Sequence, residues 1–333
     1  MKKIINDPAR LVDDMLDGVL AAHPGWVRRL DGEPRALVRV GAELRKKVGI
    51  ATGGGSGHLP LFAGYVGEGL ADGVAVGNVF SSPSARQMLA VTRALETGMG
   101  VLHLYGNYQG DTMHFESAAE RAEGHGIRVR TVRACDDVAS APPERWSDRR
   151  GVAGIFFAYK LAGARAAEGA DLDDVAAAAE DAIFNTRSMG VALSSCILPE
   201  VGHPNFSIGD KEMEIGMGIH GEPGVRRGPL ESAESIAQQL VSAVLEDLPF
   251  RQGDQVAVLV NGLGATPPEE LYVLYRSVAQ ILKERGIAVH RCFVGEYATS
   301  LEMAGCSLSL LRLNEERIRL LDAPALSPLL NLR

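Results

Sequence analysis

The chain has 333 residues, 46% hydrophobic and 23% charged, a composition of folded globular proteins rather than of disordered or membrane-spanning ones. Its formal net charge of -8 gives no support for binding nucleic acid or an anionic membrane surface, both of which favour a basic face. Its longest apolar runs fall far short of the roughly 20 residues needed to cross a bilayer, so a small-molecule site is the better expectation.

In chain order, the opening residues carry Lys2 and Lys3 but no apolar core of a secretory signal before Asp7 and Pro8, which predicts a cytoplasmic protein. Strand-like and helix-like runs then alternate. Strands are expected at Lys47 to Ala51, Val74 to Val76, Val101 to Tyr105 and Val129 to Arg133. Helices are expected at Leu59 to Gly67, Ser84 to Thr97 and Thr112 to Gly124. This alternation points to an α/β lobe with crossover helices. After an Ala-rich helix over Asp171 to Phe184 the pattern becomes richer in strands, at Val191 to Leu198 and Glu212 to His220. Helix Ser232 to Leu245, strand Gln255 to Val260, helix Pro268 to Arg285 and strands Ala288 to Val294 and Ser307 to Leu313 follow. The expected fold is therefore two α/β lobes, residues 1–184 and 185–333, with mostly parallel or mixed sheets. Cys135, Cys196, Cys292 and Cys306 show neither metal-ligand spacing nor the density of a disulfide scaffold, and thiols are expected.

Four strand-end segments carry candidate chemistry. Thr52 to Pro60 contains Gly53-Gly54-Gly55-Ser56-Gly57-His58, and glycines at a strand-to-helix turn can offer backbone N–H groups to ligand oxygens at a helix N-terminus. It lacks both the Gly-Lys-Ser/Thr of a phosphate loop and the register of a dinucleotide fingerprint. A plain tight turn explains it as well, though a histidine can exchange a proton near neutral pH. Gly106 to Asp111 lies between a strand and a helix, where capping alone explains Asp111; a carboxylate at a strand-end crevice gains weight only because a second strand-end loop carries His58.

Along Glu212 to His220, Met213, Ile215, Met217 and Ile219 share one strand face while Gly216, Gly218 and His220 share the other. The first face reads as core. The second is nearly bare and leaves room for a ligand or another backbone beside His220. In Asn261 to Glu269, Thr266 and Glu269 read as a capping box with Pro267 at the first helical position, so a structural or subunit-contact role is expected. The remaining histidines show no metal-ligand spacing, and no metal site is expected.

These segments, Gly53 to His58, Asn107 to Asp111, Met213 to Gly224 and Leu259 to Tyr272, occur in an order that resembles the K subunit of dihydroxyacetone kinases over nearly the whole chain. Ile4 to Asp7, Phe80 to Pro83 and Arg149 to Ala153 are also similar to that family. The resemblance implies a homodimer in which His220 forms a hemiaminal with a short ketose while Gly55, Ser56, Gly57, His58 and Asp111 hold its hydroxyls. It further implies that no cofactor is tightly bound in this chain. ATP or ADP with Mg is expected on a nucleotide-binding L-type subunit, separate or fused, and a phosphotransferase-system donor is an alternative phosphate source. The chain should be inactive alone.

The residue types suit that chemistry. A neutral imidazole can add to a ketone and so exclude glycerol. A carboxylate such as Asp111 can accept the hydroxyl proton during attack on a phosphoryl group, with His58 as its hydrogen-bond partner. One departure bears on substrate: the family pattern Lys-Asn-Tyr-Thr-Gly-Asp is met here with Gly106 for Lys and Gln109 for Thr, which makes a four-carbon ketose such as erythrulose as reasonable as dihydroxyacetone. A non-catalytic ketose-sensing co-regulator is the rival reading, and the presence of His58 and Asp111 beside His220 in the motif set favours catalysis.

Overall fold

The structure, a computed structural model, describes residues 2–42 and 46–332. Packing divides the chain into two units, one of Met1–Ala134, Ala158–Asp181 and Arg319–Arg333, the other of Cys135–Phe157 and Ala182–Ile318.

In the first unit, helix α1 (Leu11–Ala22) leads into strands β1 (Val27–Leu30), β2 (Glu33–Arg39), β3 (Gly49–Ser56) and β4 (Gly73–Val79). Helix α2 (Ala85–Leu95), β5 (Val101–Gly106), α3 (Gln109–Glu123) and β6 (Val129–Ala134) complete its sheet, in the order β1-β2-β4-β3-β5-β6. The four strands β4, β3, β5 and β6 are parallel, while β2 and β1 extend the sheet antiparallel. Helix α2 starts on a full capping box between Ser84 and Gln87 and buries Met88, Val91 and Leu95. Together with Ala51, Ala75, Tyr105 and Phe115 these form the core, each large apolar side chain contributing about 1.5–3 kcal/mol by leaving water.

The chain crosses between the units four times: after β6, inside α4 (Ile155–Ala167), inside α5 (Leu172–Phe184), and between Ile318 and Arg319. The second unit's sheet is built from β7 (Thr186–Ala192), β8 (Glu212–Ile215), β9 (Arg226–Pro229), β10 (Gln255–Gly262), β11 (Ala288–Gly295) and β12 (Gly305–Leu313), in the order β11-β10-β12-β7-β8-β9. Only β10 and β11 pair in parallel among these described strands; the other pairings are antiparallel. Val256 to Val260 are buried without interruption, as a central strand covered on both faces requires. Helices α6 (Ala233–Asp247) and α7 (Pro268–Glu284) supply Leu240, Val244, Leu271, Leu274, Val278 and Leu282 to the same core at helical spacing. Helix α8 (Glu315–Asp322) and the small hairpin of β13 (Ala325–Ser327) and β14 (Leu330–Leu332) end the described chain.

Four local expectations are corrected. Strand β3 runs on through the glycines to Ser56, and only a short 3-10 turn at Ala63–Tyr65 stands where a helix over Leu59 to Gly67 was expected. Two of these glycines admit close neighbours. A Cβ on Gly54 would lie 2.3 Å from the Phe62 ring, and one on Gly55 would lie 2.7 Å from the Ser81 backbone nitrogen. The strand expected at Val191 to Leu198 is shifted toward the N-terminus and ends at Ala192. The strand expected to reach His220 ends at Ile215, because Gly216 takes a left-handed φ of 82° that a pleated strand does not accommodate. Thr266 makes no capping box: its hydroxyl donates to the Gly305 carbonyl at 2.7 Å and accepts from the Gly305 N–H at 2.8 Å, leaving Pro267 at the N-cap.

Candidate functional site

The first unit gathers its candidates at the carboxyl ends of parallel strands. Strand β3 lies between β4 and β5; the chain leaves β3 toward β4, whereas it leaves β5 through α3 toward β6 on the opposite side. Connections diverging from neighbouring parallel strands open a crevice, the usual ligand position in such sheets. Gly55 and Ser56 end β3 and Gly57 and His58 follow it, while Gly106 ends β5 and Asn107 to Asp111 follow, so both segments flank that point.

His58 is 1% exposed. Its ring stacks on Phe80 at 4.8 Å between centroids and meets Phe62 edge-on at 6.4 Å. Both phenylalanines have positive φ, 67° for Phe62 and 56° for Phe80, conformations that cost of order 1–3 kcal/mol each and tend to cluster at functional sites. The Ser56 hydroxyl donates to the Gly77 carbonyl at 2.8 Å, and the Phe80 N–H donates to the Ser56 carbonyl at 3.0 Å. These bonds fix the loop after β4 against the end of β3. That loop also touches the segment after β5: a Cβ on Gly110 would lie 2.7 Å from the Ser82 hydroxyl.

Asp111 is buried in the first turn of α3 but is not its N-cap, a position taken by Tyr108 without a side-chain cap bond. A carboxylate there lies in the positive field of the helix N-terminus. Burial pushes the Tyr105 hydroxyl up to about 12, with the Asp111 charge adding to the shift. Burial also raises Tyr159, whose hydroxyl lies 2.7 Å from that of Thr52 and which also feels the Asp111 charge. Gly106, the last residue of β5, is buried and pairs with Ala134.

His220 belongs to the second unit, in a turn beyond β8. The expected core face holds: Met213, Ile215, Met217 and Ile219 are all buried. The face expected to be bare is filled by protein. A Cβ on Gly216 would lie 2.7 Å from the Ala139 methyl, and one on Gly218 would lie 2.2 Å from Glu222 Oε2 and 2.6 Å from Arg150 Nη1. The His220 side chain keeps 24% of its surface exposed. Its Nδ1 lies 2.9 Å from Glu222 Oε1, while its backbone N–H donates to Glu222 Oε2 at 3.0 Å. Asn205 Nδ2 donates to the His220 carbonyl at 2.9 Å. Burial opposes ionisation of Glu222, yet the hydrogen bond and charge at His220, with Arg150 beyond, outweigh it and hold the carboxyl at about 2. Arg150 in turn donates through Nε to Asp137 Oδ2 at 2.9 Å, and burial lifts Asp137 to about 6 despite that partner.

Sequence reasoning missed Glu222, Arg150 and Asp137. The available signal was the His-Gly-Glu spacing, in which Gly221 takes a φ of 86° and turns the glutamate back onto the histidine. It also missed the aromatic packing around His58, which follows from the fold rather than from spacing. In the fourth segment, Asn261 ties the end of β10 to the Tyr297–Ala298 backbone. Asn261 Oδ1 accepts from the Tyr297 and Ala298 N–H groups, both at 2.8 Å.

Residues 17–329 match the Dak1 domain. The dihydroxyacetone-binding subunit DhaK of PTS-dependent dihydroxyacetone kinase 2 from Listeria innocua is 45% identical over 328 residues, 98% of each chain. An L-erythrulose kinase from Pectobacterium atrosepticum is 45% identical over 332 residues, and the match spans 98% of this chain but only 56% of that protein. Among solved structures, the dihydroxyacetone kinase operon co-activator DhaQ superposes with a TM-score of 0.88 at 32% identity, covering 94% of this chain and 96% of that one. With the motif order, the two sheets and these matches in agreement, the chain belongs to the Dak1 family, that of the dihydroxyacetone kinase K subunits.

Proposed function

We propose that the chain is the ketose-holding subunit of a dihydroxyacetone-kinase-type phosphotransferase. The imidazole of His220 adds through Nε2 to the substrate carbonyl, giving a hemiaminal that selects ketoses over polyols. What carries the reading is a partly exposed imidazole whose Nδ1 is engaged by Glu222 at 2.9 Å, in a chain matched to this family over residues 17–329. Asp111 accepts the proton of the terminal hydroxyl as it attacks the phosphoryl group, and His58 is its hydrogen-bond partner. Gly55, Ser56 and Gly57 bind substrate hydroxyls through the end of β3.

No group in this reading supplies phosphate, so ATP or ADP with Mg is assigned to an L-type nucleotide-binding partner. A phosphotransferase-system donor is the alternative source, as the name of the Listeria relative suggests for that protein. The subunit is proposed to work as a cytoplasmic homodimer, and no helix among the described residues is long and apolar enough to cross a membrane. The substrate is dihydroxyacetone or a four-carbon ketose such as erythrulose, because Gly106 replaces the family's lysine. A second reading, a ketose-sensing co-regulator, draws on the likeness to the co-activator structure. The simultaneous presence of His58 and Asp111 favours catalysis, since sensing needs the covalent anchor more than a proton acceptor.

The test is intact-mass spectrometry of the protein with dihydroxyacetone and with erythrulose after hydride trapping or under native conditions. The wild type is expected to gain the mass of one ketose and His220→Ala to gain none. An undiminished adduct in the variant would remove His220 from the chemistry.

A further inference from the structure

The carboxylate of Glu222 uses both oxygens on one residue, gripping the imidazole Nδ1 of His220 at 2.9 Å and its backbone N–H at 3.0 Å. Such a double grip fixes ring rotation as well as protonation. An ionised carboxylate only accepts, so the ring nitrogen facing it must carry the proton, and the lone pair falls to Nε2.

Three further features support the carboxylate. Arg150 Nη1 lies 3.8 Å from Glu222 Oε2, and its Nη2 donates to the Gly216 carbonyl at 3.3 Å. Asp137, 3% exposed at its side chain, holds Arg150 from behind at 2.7 Å and accepts the Ala139 N–H at 3.0 Å. Gly218 leaves the space in which the carboxylate and guanidinium sit, since a Cβ there would fall 2.2 Å from the first and 2.6 Å from the second. The glycines around His220 thus clear room for this acid–base chain.

We propose that Glu222, backed by Arg150 and Asp137, is a positioning residue that fixes His220 as its Nδ1–H tautomer and makes Nε2 the attacking nitrogen. The inference rests on the covalent reading of His220 and assigns that reading its supporting group. In the addition, the Nε2 lone pair forms a bond to the carbonyl carbon while the C=O π pair moves to oxygen. The oxygen takes a proton from solvent. The ring keeps its Nδ1 proton and is left cationic, ion-paired with Glu222, so the net change is addition of the ring and one solvent proton across the carbonyl. The carboxylate stabilises the cationic ring where its charge develops.

The experiment uses the full chain labelled with ¹⁵N at histidine and, as probe, dihydroxyacetone labelled with ¹³C at the carbonyl. In the ligand-free wild type, His220 ring nitrogen shifts are expected to report the Nδ1–H tautomer. In Glu222→Gln, whose amide can also donate to Nδ1, they are expected to report a mixture. The rate of adduct formation is expected to fall on the order of tenfold to a hundredfold, the usual effect of removing a group that orients a functional histidine. Gly218→Ala keeps every polar group but displaces the carboxylate, and is expected to produce the same two changes; it serves if Glu222→Gln folds poorly. A wild-type tautomer and wild-type adduct rate in a folded variant would overturn the proposal. If the wild type forms no adduct at all, the covalent reading fails on its own, while the tautomer comparison still decides whether Glu222 sets the ring.

Discussion

Asp111 shows how two roles at one residue are separated by chemistry. It stands in the first turn of α3, buried, where its charge is favoured by the helix N-terminus, and it is proposed to accept a proton in catalysis. Asp111→Asn retains shape and hydrogen-bonding capacity but loses basicity. The variant is expected to form the ketose adduct as the wild type does while losing most phosphoryl transfer, by about 10²–10⁴-fold if it is the general base. Adduct mass and steady-state turnover, measured on the same preparation, check this; parallel loss of both would make Asp111 a structural residue. That this aspartate lies at a helix start was legible in sequence. Its burial and its place as third helical residue, behind Tyr108, were not, because a helix start is read only to within a residue or two. Glu222 was less legible still, since an acidic residue in a Gly-Pro turn reads as solvated surface until a left-handed glycine folds it back.

At the scale of elements, the alternation of strands and helices was readable wherever apolar periodicity was strong, as in α2, α6, α7 and β10. It failed where glycine replaced periodicity. A strand of Thr52, Gly53, Gly54 and Gly55 carries no side-chain pattern, and only the closeness of Phe62 and of the Phe80–Ser81 backbone shows why those residues are glycines. Likewise Thr266 matched a capping box, yet pairing with both polar groups of Gly305 won over the helix end. One inter-element bond supports a quantitative expectation. The Thr92 hydroxyl donates to the Met88 carbonyl at 2.8 Å, so it accepts from His103 Nε2, also at 2.8 Å, and ties α2 to β5. His103 is fully buried, and burial lowers its imidazole from 6.5 to about 4. Between those values the unfolded chain takes up a proton that the native state refuses. Stability is therefore full above pH 6.5 and falls as pH drops toward 4, by about 3 kcal/mol from this group. His103→Gln, even if less stable at pH 7.5, is expected to lose correspondingly less across that interval. Urea midpoints at pH 7.5, 5.5 and 4 give the comparison, and equal losses in both proteins would show that His103 titrates the same folded and unfolded.

For the whole molecule, the question is what completes a chain that, in the proposed reading, offers a nucleophile and a proton acceptor but no phosphoryl donor. The expectation is that this protein with Mg and ATP forms the adduct but no phosphorylated ketose, and that an L-type nucleotide-binding subunit restores transfer. Adduct without transfer, whatever donor-bearing partner is supplied, would favour the co-regulator reading. The same reconstituted pair tests substrate size. Gly106 is the last residue of β5, five residues before Asp111, and the lysine that the resemblance leads one to expect there would place a long cationic side chain at that strand end. Without it, erythrulose is expected to be used at least as efficiently as dihydroxyacetone, and Gly106→Lys to shift the ratio toward the three-carbon ketone. One hydroxymethyl group and one hydrogen-bond donor are worth on the order of 1–3 kcal/mol, so the ratio of the two kcat/KM values is expected to move by roughly tenfold to a hundredfold. A wild type that strongly prefers dihydroxyacetone, with a ratio the lysine leaves unaltered, would show that substrate length is set elsewhere than at the end of β5.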